Sequence, residues 1–182
     1  MYKQALKYSL VCLVLASTLT KQADAQDMSV LAENTKIQLS SDHRDLMRSA
    51  AAACLMAPED RASVLTTLKL GGWNVTDDAG AKVGDEEWIE IGHNDVWISL
   101  IGINDDFFCD VQGDISQAAA LAEVKDLLAK AQWSDWTVTR EDGECHSLVQ
   151  ESNIGIYITS SGNDPVCTPQ PHSAIRISSQ KN

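Results

Sequence analysis

Basic residues are scarce in this chain. Its 182 residues include 26 aspartates and glutamates but only 14 lysines and arginines, which gives a formal net charge of −12 at pH 7. An acidic surface repels polyanions, so the composition disfavours nucleic acid and anionic membranes as partners. A basic protein partner or a cationic ligand is compatible with this charge, although solubility alone also accounts for it.

Long apolar runs are equally rare. The run Tyr8–Leu19 is too short to cross a bilayer, and no later run is long enough for a membrane span. Lys3 and Lys7 precede this run and Ala23-Asp24-Ala25 follows it, which is the order of a secretory signal peptide and its cleavage site. The sequence therefore predicts a signal peptide over residues 1–25 and a periplasmic or secreted protein.

Closely spaced cysteines are absent from the predicted mature chain. No two of Cys54, Cys109, Cys145 and Cys167 have the C-x₂₋₄-C spacing of zinc knuckles and ribbons. An even number of cysteines in an oxidising compartment predicts two disulfides instead.

The motifs of common active sites are missing too. The chain has no Gly-x-Ser-x-Gly elbow, no regular calcium loop and no glycine-rich phosphate loop ahead of a helix. The four histidines, His43, His93, His146 and His172, lack the spacing of a metal-binding pair. We therefore predict no metal, no cofactor and no catalytic residue. A small exported hydrolase with a site assembled from separated residues stays open as an alternative, with His146 or His93 as its general base.

Two segments of the chain resemble each other. Residues 96–109 read VWISLIGINDDFFC and residues 153–167 read NIGIYITSSGNDPVC, and both alternate branched apolar residues before an Asn-Asp turn and a cysteine. The spacing from Ile98 to Cys109 equals that from Ile156 to Cys167. Trp73-Asn74-Val75-Thr76 and Trp136-Thr137-Val138-Thr139 form a second matching pair, so we predict an internal repeat.

Each predicted repeat is a helix followed by short strands. A helix should begin near Ser41 or Asp42 and end before Pro58, and a second should begin at Pro58 and end at Gly71-Gly72. Asp114 should cap the helix of the second repeat, with Ala118, Leu121, Val124 and Leu128 facing inward. The alternating segments predict strands over residues 73–76, 88–91, 96–101, 107–111, 136–139, 145–150, 154–159 and 174–177.

These elements predict an α+β fold with two layers, in which one antiparallel sheet carries the helices on one face. Residues 26–40 should form a flexible N-terminal arm, and residues 41–182 a single domain with half-repeats over about 41–113 and 114–182.

The repeat also suggests how the cysteines pair. If Cys109 and Cys167 occupy equivalent positions, each should be tied within its own half, which gives Cys54–Cys109 and Cys145–Cys167. The competing pairing, Cys109–Cys167, would join the two halves to each other.

Five tryptophans stand beside only two phenylalanines. Trp88, Trp97 and Tyr157 each alternate with inward-facing isoleucines, so they should lie on the sheet face opposite the helices. Such aromatics can bind a partner protein, a glycan or an apolar ligand. In the structural alternative, a loop, the N-terminal arm or a second copy of the chain covers these aromatics.

The sequence thus favours an exported, disulfide-stabilised binding domain and leans against an enzyme. The alternatives are the small hydrolase and an envelope structural component with a homo-oligomeric interface. The sequence identifies neither the protein or small ligand that would bind nor the oligomeric state.

Overall fold

The computed structural model describes residues 32–34, 42–76, 86–103, 106–133, 136–139, 145–150, 154–160, 167 and 170–179. The predicted signal peptide lies outside these residues. So does the predicted arm, except for a helical turn over 32–34. The elements are, in chain order, α1 (His43–Leu70), β1 (Asn74–Thr76), β2 (Glu86–His93), β3 (Val96–Ile103), β4 (Asp106–Gly113), α2 (Gln117–Lys130), β5 (Trp136–Thr139), β6 (His146–Gln150), β7 (Ile154–Thr159) and β8 (Ser173–Ser179).

All eight strands form one antiparallel sheet in the order β1-β2-β3-β4-β8-β7-β6-β5. Each half of the chain is a helix followed by a four-stranded meander, and the two meanders meet where β4 pairs with β8. Both helices pack on one face of the sheet, where the inward side chains of the strands complete a single apolar core. The predicted two-layer α+β fold is confirmed. No helix in the described part of the chain is long and apolar enough to cross a membrane.

Helix α1 combines the two helices that the sequence predicts. Asp42 caps it by accepting a hydrogen bond from the Arg44 backbone N–H at 2.9 Å. The break falls at Asp60 and not at Pro58, because Asp60 has non-helical dihedral angles and its Oδ1 accepts a hydrogen bond from the Ser63 N–H at 3.1 Å. Asp60 therefore acts as a second N-cap inside the helix, and Pro58 ends the first segment instead of opening the next.

The N-cap of helix α2 lies two residues later than predicted. Ser116, not Asp114, is the N-cap, and its Oγ accepts a hydrogen bond from the Ala119 N–H at 3.3 Å. The inward face is predicted correctly in part: Val124 and Leu128 are buried, whereas Ala118 is exposed and Ala120 and Glu123 are buried instead. Glu123 is compatible with that burial because Arg48 of α1 donates two hydrogen bonds to it.

The two helices end in the same way. The second residue after each helix is left-handed, with φ of 86° at Gly72 and 60° at Gln132. The next N–H, of Trp73 or Trp133, then donates to a carbonyl five residues back at 3.0 Å. Trp73 thus matches Trp133 at the helix end. The sequence comparison instead aligned Trp73 with Trp136, which begins β5.

Two disulfides join Cys54 to Cys109 and Cys145 to Cys167. The first ties the middle of α1 to β4 through two fully buried residues. Cys109 lies within β4, whereas Cys167 precedes β8, and Ile177 is the residue of β8 that pairs with Cys109. The predicted equivalence of Cys109 and Cys167 is therefore wrong, although the structure contains the two bridges inferred from it.

Candidate functional site

The three aromatic side chains singled out from the sequence lie on the open face, defined here as the sheet face away from α1 and α2. Trp88, Trp97 and Tyr157 are 48%, 54% and 43% exposed. Their strand neighbours Ile98 and Ile156 are buried against the helices. The alternation of the strands thus separates a packed face from an aromatic one.

The open face spreads these aromatics instead of clustering them. Trp97 pairs with Gly92 while Trp88 pairs with Ile101, so the two tryptophans lie at different levels of the sheet. Tyr157 is on β7, with β4 and β8 between it and Trp97. At ~4.8 Å per strand, about 14 Å of sheet separates β3 from β7. A ligand touching all three must therefore be extended.

Glycines fix the orientation of two of these rings. A Cβ added at Gly92 would lie 2.7 Å from Cζ3 of Trp97, and one added at Gly155 would lie 3.0 Å from Cε2 of Tyr157. Each ring therefore lies against bare backbone and leaves its other side to solvent. Rings held in this way lose little conformational freedom when a partner binds.

A charged pair lies between the aromatic positions. Asp110 of β4 pairs with Arg176 of β8, with 3.4 Å between Asp110 Oδ1 and Arg176 Nε. Gln112 donates a hydrogen bond to Asp110 Oδ2 at 2.6 Å. Only 6% of the Asp110 side chain is exposed. Burial raises the pKa of Asp110, and the Gln112 hydrogen bond and the Arg176 charge oppose that rise without cancelling it.

Apart from this pair, the charged residues that the structure describes on the open face are acidic. Arg176 is the one lysine or arginine in the eight strands, and Asp110 balances it. Glu90 and Asp106, both exposed, belong to the same face by register. Aromatic rings and exposed carboxylates thus occur on one surface.

The candidate general bases do not converge. His93 ends β2 and packs against Trp73 with 5.6 Å between ring centroids, whereas His146 begins β6, and four strands of the sheet lie between β2 and β6. His43 opens α1 and His172 precedes β8. No group of histidine, cysteine, aspartate or glutamate side chains in the described ranges could hold a metal ion. These histidines therefore give no support to the hydrolase alternative.

Sequence reasoning missed the Asp110–Arg176 pair. Asp110 alternates with Cys109 and Val111, so its outward direction could have been recognised from the sequence. Its partner could not, because the adjacency of β4 and β8 is a contact between distant parts of the chain.

The chain matches no protein-family model, and neither the curated proteins nor the solved structures contain a match to it.

Proposed function

We propose that this protein is an exported binding module whose open face holds a basic, extended segment of another exported protein. The observation that supports this most directly is the exposure of Trp88, Trp97 and Tyr157 on a sheet whose only lysine or arginine is already paired. Export rests on the predicted signal peptide and is consistent with the two disulfides.

The acidic charge of the open face favours a basic partner. Glu90 and Asp106 would attract lysine and arginine side chains, and the net charge of −12 would speed their approach. An acidic segment would meet repulsion without a free cation on the sheet to offset it. The same surface disfavours a polyanion.

The aromatic rings favour the same partner. Cations attract the faces of tryptophan and tyrosine rings, at about 0.5–1 kcal/mol per exposed contact. Trp97 and Tyr157 each present one ring face because the other lies against a glycine. The separation of Trp97 from Tyr157 suits an extended segment with basic side chains spaced along it.

Site-specific photo-cross-linking tests this proposal. A benzoylphenylalanine replaces Trp97 on the open face or, as the matched control, Leu70 at the end of α1, where 79% of the side chain is exposed. We expect irradiation of the exported fraction to join position 97, and not position 70, to a protein through a lysine- or arginine-rich segment.

Three outcomes would contradict the proposal. They are identical products from both positions, a cross-link to a glycan, and a cross-link from position 97 to a second copy of this chain. A cross-link to a second copy would favour one form of the structural alternative, in which the open face is a homo-oligomeric interface.

A further inference from the structure

A separate site, which is concave, lies on the helix side of the sheet, away from the open face. It is a cavity of about 310 Å³, which we call the tryptophan cavity, and its volume is near the lower end of small-molecule sites. It lies between the last turns of α2 and the strand pair β5–β6. Its lining side chains are Lys125, Leu128, Ala129, Gln132, Trp133, Trp136 and Leu148.

Two indole rings form one wall of this cavity. The rings of Trp133 and Trp136 are stacked, with 6.3 Å between centroids and an interplanar angle of 23°. Both side chains are half-buried, whereas Trp73 in the first half is only 4% exposed. The helix-end hydrogen bond from Trp133 to the Leu128 carbonyl fixes the start of this wall.

The first half of the chain shows what fits in such a space. There Trp73 lies between the two glycines that follow α1 and the start of β1. Its side chain is 4% exposed and its ring packs against His93 of β2, so its indole is buried where the helix meets the sheet. In the second half Trp133 follows the helix end and Trp136 starts β5. The matching junction therefore has two rings at its wall and an open volume beside them.

The hydrogen bonding of this wall is also incomplete. The indole Nε1 of Trp136 is buried and has no hydrogen-bond partner within the described structure. A buried donor without an acceptor costs about 1–3 kcal/mol. Such groups in native proteins need a reason, and an absent ligand is one.

We propose that the tryptophan cavity binds a small planar aromatic carboxylate. The aromatic part would take the place that the Trp73 indole fills in the first half. Lys125 is the only charged side chain among the described lining residues, so an anionic group is favoured over a cationic one. This site is independent of the open face, which lies on the other side of the sheet.

The five tryptophans provide the readout, because each gives one indole N–H signal in a ¹H–¹⁵N spectrum and can be assigned by Trp→Phe substitution. Naphthoate is the probe, with naphthol and naphthylmethylamine as its neutral and cationic counterparts. We expect naphthoate to shift the signals of Trp133 and Trp136 and to leave those of Trp88 and Trp97 unchanged. Naphthol should bind more weakly, and the amine most weakly.

Two variants with one control complete the test. Ala129→Phe should abolish the shifts by filling the cavity, whereas Ala122→Phe, at an exposed position of the same helix outside the lining, should not. Lys125→Gln should weaken naphthoate binding up to about fivefold, the range of an exposed ion pair. The proposal is overturned if Trp133 and Trp136 do not respond up to the solubility limit of naphthoate, if Ala129→Phe binds as well as the native protein, or if only Trp88 and Trp97 respond.

Discussion

Trp97 and Ile98 are adjacent in β3 and have opposite environments. Ile98 is 1% exposed under the helices, and Trp97 is 54% exposed on the other side of the sheet. Their roles should differ accordingly, because truncation of a buried side chain leaves a cavity whereas truncation of an exposed one leaves a surface. The sequence alternation was sufficient to predict this difference.

Ile98→Ala should therefore lower the free energy of unfolding by about 2–5 kcal/mol. Trp97→Ala should lower it less, since it loses mainly the contact of the ring with Gly92. Urea unfolding of both variants measures the difference. A larger loss for Trp97→Ala would mean that the open face is covered, as the structural alternative requires.

Asp110 is a buried carboxylate on β4, one of the two central strands of the sheet. Burial raises its pKa in the folded protein above the ordinary value of 3.8, so the native state binds this proton more tightly than the unfolded state does. The resulting contribution to stability is present below the unfolded pKa and is lost as the pH rises through the folded pKa.

The free energy of unfolding of the native protein, measured relative to Asp110→Asn, should accordingly increase as the pH falls from about 7 to about 4. Arg176 stays protonated throughout, so the loss of its partner adds an offset that does not change with pH. Asp106→Asn, on the same strand but exposed, controls for the loss of one carboxylate. If the advantage over Asp110→Asn instead shrinks on acidification, the Arg176 charge outweighs burial.

At the scale of elements, the disulfides connect parts of the chain that are separated to different extents. Cys54–Cys109 spans a sequence separation of 55 and ties α1 to β4, whereas Cys145–Cys167 spans 22 and joins the start of β6 to the connection before β8. The longer loop should restrict the unfolded chain more.

In the chain-entropy model the two bridges contribute roughly 4 and 3 kcal/mol. Replacing Cys54 and Cys109 together with alanine should consequently destabilise the protein more than replacing Cys145 and Cys167. Thermal unfolding of the two double variants measures this order. Peptide mapping without reduction checks the pairing itself, and a Cys109–Cys167 peptide would contradict it.

Most elements could be predicted from local sequence, and their ends were the weak point. Strands with strict alternation, such as β3 and β7, contain the predicted segments because each has one buried face. The cap of α1 is Asp42, one of the two residues predicted, whereas the cap of α2 was misplaced because several nearby residues can accept the capping hydrogen bond. Asp114 and Ser116 both qualify, and only the packing of α2 decides between them.

At the scale of the molecule, the sequence predicted two similar halves but not how they meet. The pairing of β4 with β8 places Asp110 opposite Arg176 and separates Tyr157 from the tryptophans. The halves also differ between the end of α2 and the start of β5, where the tryptophan cavity lies. Such contacts depend on tertiary structure and leave no local signal.

The proposed binding of a basic segment to the open face is tested most directly by an indole N–H titration with a short lysine-rich peptide. A peptide of the same length with glutamate in place of lysine is the control. We predict that the lysine peptide shifts the signals of Trp88 and Trp97, leaves those of Trp73, Trp133 and Trp136 in place, and binds more weakly as salt increases. Equal binding of the glutamate peptide, or shifts confined to Trp133 and Trp136, would contradict the proposed function.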